Sequence, residues 1–128
     1  MARARASLAV LSSRIGGAEI GELLGLEGDR QWDAGDPVRP GSKSQQRFAG
    51  WTLDSRVDRS LGVASHLEDL LGRASHLADR LSALTAAGEI DSSRVWVHLD
   101  SPESGFSLEC DVLRAIADLG SLEIDLYS

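Results

Sequence analysis

Cysteine occurs once in these 128 residues, as Cys110, so the chain can make neither an internal disulfide nor a four-cysteine metal site. A reducing cytoplasm is the expected compartment. Lysine also occurs once, as Lys43, against twelve arginines; with abundant alanine and glycine, this reads as the base composition of a GC-rich bacterial genome. Basic charge as a whole is scarce, since 13 Lys and Arg face 20 Asp and Glu for a net charge of −7 at pH 7. That argues against nucleic-acid and anionic-membrane binding, both of which rest on clustered cations. No apolar run approaches the roughly 18 to 20 residues of a membrane span. The short run after the first arginines is interrupted by Ser12, Ser13 and Arg14, too soon for a signal peptide.

What is present is an ordinary globular composition, 42% hydrophobic and 26% charged, at the length of one domain. Residues 1–128 are read as a single α+β unit. Ala6 to Ser12 reads as an apolar strand, and Ile20, Leu23 and Leu24 recur at helical spacing before Gly25. Arg30 to Asp33 makes a brief edge strand, after which Gly35, Pro37, Pro40 and Gly41 predict an irregular loop at about 34–47. Phe48 to Ser55 alternates as a half-buried strand with Trp51 pointing inward. From Leu61 to Ala87, leucines at three- and four-residue steps predict one long amphipathic helix, with Ser60 as its N-cap, Gly72 as a weak point and Gly88 as its stop.

Two alternating strands, Arg94 to Asp100 and Leu122 to Tyr127, flank a short helix from Asp111 to Leu119. Val95, Val97, Leu99, Leu122, Ile124 and Leu126 are expected to face the helices, leaving Trp96, His98, Asp100, Glu123, Asp125 and Tyr127 on the other side. This order predicts a two-layer α+β sandwich, ferredoxin-like with an additional helix and strand. The sheet is mainly antiparallel and has its helices on one face.

Six short pieces in fixed order carry a family resemblance. They are Glu22-Leu-Leu-Gly-Leu-Glu, Arg30-Gln-Trp-Asp-Ala-Gly-Asp, Gly50-Trp-Thr-Leu-Asp-Ser, the leucine-rich helix, Gly105-Phe-Ser-Leu and Leu122-Glu-Ile-Asp-Leu-Tyr. Together the chain resembles the bacterial family called domain of unknown function 4279 along nearly its whole length. The resemblance implies a small α+β domain with no assigned activity, and so supplies no catalytic residues.

Two groups of side chains are candidate binding residues. The first is the open sheet face, Trp96, His98, Asp100, Asp125 and Tyr127, where aromatic rings with polar tips lie beside carboxylates and an imidazole. The second is a basic loop, Arg39, Lys43 and Arg47 with Trp32 at its hinge, suited to an anionic ligand. Packing is the expected role of the two tryptophans, Trp32 and Trp51, that frame this loop. The near-repeat around His66 and His76 suggests a metal pair, but ten residues turn a helix by about 80° and advance it about 15 Å. The two imidazoles therefore cannot share an ion, and both are expected on a solvated face near Asp69 and Asp79. Cys110 is expected to be a buried or half-buried inert thiol. Gly16-Gly17 lacks the further glycines of a phosphate loop.

No catalytic residue, metal or cofactor is assigned. The expected function is a non-enzymatic binding or protein-interaction module, with an immunity or antitoxin-like inhibitor as one version. Its partner is a protein or a second copy, and neither nucleic acid nor membrane. The alternative is a small enzyme or small-molecule sensor whose pocket lies between the 37–47 loop and the sheet, with His98 and Asp100 or Asp125 as acid and base.

Overall fold

The computed structural model describes residues 4–99 and 108–126. Five strands, β1 (Ala4–Ser12), β2 (Arg30–Trp32), β3 (Ala49–Asp54), β4 (Ser92–Leu99) and β5 (Ser121–Leu126), form one sheet in the order β2-β3-β1-β4-β5. All neighbours are antiparallel except β4 and β5, which run parallel. Four helices, α1 (Gly17–Leu24), α2 (Val63–Ala74), α3 (Ala78–Ala86) and α4 (Cys110–Leu119), accompany the sheet.

Strand alternation decides which side the helices cover. Leu8, Val10, Trp51, Leu53, Val95 and Val97 share one face, all at most 1% exposed, and join Ile20, Leu67, Leu70, Leu77 and Ile116 in the core. Trp51 reaches through this layer to donate its indole N–H to the Leu26 carbonyl at 3.0 Å. Ile124 is in register with Val97 but is 44% exposed, contrary to its expected helix-facing burial. Its strand is the sheet edge, where no further strand shields it.

Helix α1 lies close to the sheet because two of its inward positions are glycines. A Cβ on Gly17 would sit 2.5 Å from the Trp32 carbonyl oxygen, and one on Gly21 would sit 2.7 Å from Gln31 Oε1. The N–H of Gly17 is taken by the Asp33 carboxylate at 3.1 Å, so a side chain of this chain occupies the helix N-terminus. Gly25 closes α1 in the left-handed conformation at φ 73°.

The single helix predicted for Leu61 to Ala87 is instead two helices joined by a 3-10 turn at Ser75–Leu77. The break falls after Ala74 and not at Gly72, and Leu77 remains buried across it. Ser60 does not cap α2. Gly62 takes that position, while the Ser60 hydroxyl donates to the Asp58 carboxylate.

Residues 34–47 contain no strand, yet the backbone folds into a paired arm between β2 and β3. Val38 N–H donates to Ser44 O at 2.9 Å, Gln46 N–H to Asp36 O at 2.7 Å and Gly35 N–H to Gln46 O at 2.8 Å. At the tip, Arg39-Pro40-Gly41-Ser42 closes with Ser42 N–H on Arg39 O at 2.9 Å and Gly41 at φ 77°. Proline followed by a positive-φ glycine is the residue pair a type II turn requires.

Candidate functional site on the open sheet face

On the side away from the helices, β1 presents Arg5, Ser7 and Ala9, β3 presents Gly50, Thr52 and Asp54, and β4 presents Arg94, Trp96 and His98. The register sets Glu123 beside Trp96 and Asp125 beside His98. Small residues occupy the middle of this face, where Ser7, Ala9 and Thr52 are at most 8% exposed, and large flat ones its flanks.

Trp96 and His98 meet edge to face, with ring centroids 5.5 Å apart and planes at 73°. The Glu123 carboxylate is held between two donors. Arg94 Nη1 reaches Oε1 at 2.7 Å, and the Trp96 indole N–H donates to Oε2. This ion pair is 32% and 40% exposed, so its role is to fix the Trp96 ring in place more than to add stability. Ser7 donates to Asp54 at 2.7 Å across the neighbouring strands. Thr52 Oγ1 and Arg94 Nε, paired in register with Ala9 from either side, are buried and make no hydrogen bond.

On the opposite flank the Trp32 ring lies flat on Gly50, where a Cβ would collide with it. Its indole N–H donates to the Phe48 carbonyl at 3.0 Å. Trp32 therefore fastens the base of the arm, while the three basic residues Arg39, Lys43 and Arg47 are exposed along it. No described hydrogen bond or ion pair joins those three to the sheet face. Asp100 and Tyr127 lie outside the described residues.

Sequence reasoning passed over Arg5, Arg30 and Arg94 on this face. The available signal was parity, since Arg94 stands two residues before Trp96 on the same strand.

Two further expectations are corrected. His66 is not on a solvated face: it is 1% exposed, within the α2 stripe of Val63, Leu67 and Leu70. Its Nδ1 meets Ser55 Oγ at 2.7 Å, and the same oxygen accepts the Ala6 N–H at 3.1 Å. Burial holds the His66 pKa below the usual 6.5, against the opposing pull of Asp58 and Asp69. Asp69 accepts the Arg56 N–H at 2.7 Å. Cys110 is exposed at the first position of α4, contrary to the expected burial.

Asp29 stands beside the end of β3. Burial raises its pKa, but the Asp54 N–H and the Arg56 and Arg73 guanidinium groups outweigh that and leave it below 3.8. Among the described residues no cluster of three or more His, Cys, Asp or Glu could hold a metal ion, and no helix is long and apolar enough to cross a membrane.

A family model described as domain of unknown function 4279 matches residues 2–128. No curated protein and no solved structure matches the chain.

Proposed function

The chain belongs to the family of the domain of unknown function 4279, and from that premise, which brings no activity with it, we propose a non-enzymatic module that meets a protein partner through its open sheet face. The observation that carries this reading is the pinned aromatic pair. Trp96 is held by Glu123 and packed on His98 while still accessible, and rigid, half-exposed aromatics are the side chains that anchor protein interfaces. We read the scaffold as ferredoxin-like with an added helix and strand. The antiparallel order β2-β3-β1-β4, extended by α4 and a parallel β5, supports this. A reducing cytoplasm is the compartment in which we place it, on the strength of its single exposed thiol.

The test is capture on immobilised protein. A protein retained by the wild type should be lost with Trp96→Ala and with Arg94→Glu, and kept with Glu22→Lys on the helix side. Retention by both face variants overturns the reading. An immunity or antitoxin-like inhibitor is one version of this reading, with the same face set against a basic partner.

A further inference from the structure

We propose that the partner on the open face is a second copy of this chain, packed sheet against sheet, an inference that rests on the interaction reading above. Charge distribution is the first argument. The four helices carry seven carboxylates, Glu19, Glu22, Glu68, Asp69, Asp79, Asp111 and Asp118, against three arginines, Arg73, Arg80 and Arg114. The acidity of the molecule is thus concentrated on the helix side. The open face is balanced instead, with Arg5, Arg30 and Arg94 against Asp54, Glu123 and Asp125. Two identical molecules repel through their helix layers and can pair opposite charges through their sheets. A net charge of −7 therefore does not call for a basic partner at this surface.

Unmet charge is the second argument. Neither Arg5 nor Arg30 is engaged by a described side chain, so both guanidinium groups remain available to carboxylates of the second copy.

Size is the third. Strands about 4.8 Å apart, rising about 3.3 Å per residue, give this face roughly 400–500 Å². Two copies then bury on the order of 900 Å², below the roughly 1,200 Å² of stable complexes and in the range of weak, transient ones. Such a dimer is reversible and separates on dilution. Symmetry makes the contact isologous, so each substitution acts twice.

Sedimentation velocity on the purified chain, from low micromolar to near-millimolar concentration, tests this. The mass should rise from 13.7 kDa toward twice that value. Trp96→Ala and Arg94→Glu should each weaken association about tenfold or more, as loss of an aromatic or arginine anchor does, with unchanged circular dichroism. Glu22→Lys should associate at least as well as the wild type. A wild type that stays monomeric throughout, or face variants that associate as it does, overturns the second copy. If the wild type is monomeric yet still captures another protein through Trp96, only the identity of the partner is wrong. If capture also ignores Trp96, the interaction reading falls with it.

Discussion

Neighbouring residues of β4 face different surroundings. Val95, Val97 and Leu99 are at most 2% exposed beneath the helices, whereas Trp96 and His98, one residue away on the same backbone, are half-buried on the open side. The covered face has close-packed apolar contacts with a few polar ties set among them, including Trp51 to Leu26 and His66 to Ser55. The open face has an ion pair, a ring contact and polar side chains bonded across strands. Stability is therefore concentrated on one side of the sheet and chemistry on the other, and substitutions of similar size should differ sharply in cost between them.

The largest expected effect comes from the two tryptophans compared directly. Trp51→Ala should lose about 3–5 kcal/mol of unfolding free energy in a denaturant titration, as deletion of a buried aromatic does. Trp96→Ala should lose about 1 kcal/mol or less. Equal losses would erase the distinction between the faces.

Gly50→Val comes next. A Cβ there falls on the Trp32 ring, so the ring must leave, at about 1–3 kcal/mol of overpacking strain. Tryptophan emission should shift to the red as Trp32 enters water, and an unchanged spectrum would mean the ring does not lie on Gly50.

Acid should weaken the covered side through His66. Its folded-state pKa lies below the unfolded value of 6.5, so the unfolded chain binds a proton that the native one refuses. Stability is complete above pH 6.5 and declines as the pH falls below it, and His66→Gln should flatten that part of the profile. Asp29, lowered from 3.8, adds a second loss of the same sign at more acidic pH. The smallest effect is Arg94→Ala, about 1 kcal/mol or less for an exposed ion pair, although the Trp96 indole should gain mobility as Glu123 loses one of its donors.

Much of this arrangement was legible because strand alternation is local. Val95, Val97 and Leu99 against Trp96 and His98 follow from a period of two, and Gly25 and Gly88 mark helix ends by a backbone conformation that suits glycine. The break at Ser75–Leu77 was not legible, since Leu77 keeps the helical repeat of apolar residues through it. His66 was misread by residue type although its position, three after Val63 and four before Leu70, places it on the apolar stripe. The arm is held by backbone hydrogen bonds within a run broken by prolines and glycines, which leaves no side-chain periodicity to read. Residue types gave Trp96 and His98 as a candidate site. Their clamp by Arg94 and Glu123 depends on the parallel register of β4 with β5, which no single strand encodes.

The three indole N–H groups provide the most direct test, since two sit on the open face and one under the helices. In nitrogen-15 correlation spectra of a dilution series, the Trp96 signal, and to a lesser extent that of Trp32, should move with concentration while that of Trp51 stays fixed. Movement of Trp51, or three stationary signals in a sample whose mass changes, would contradict the open face as the surface of contact.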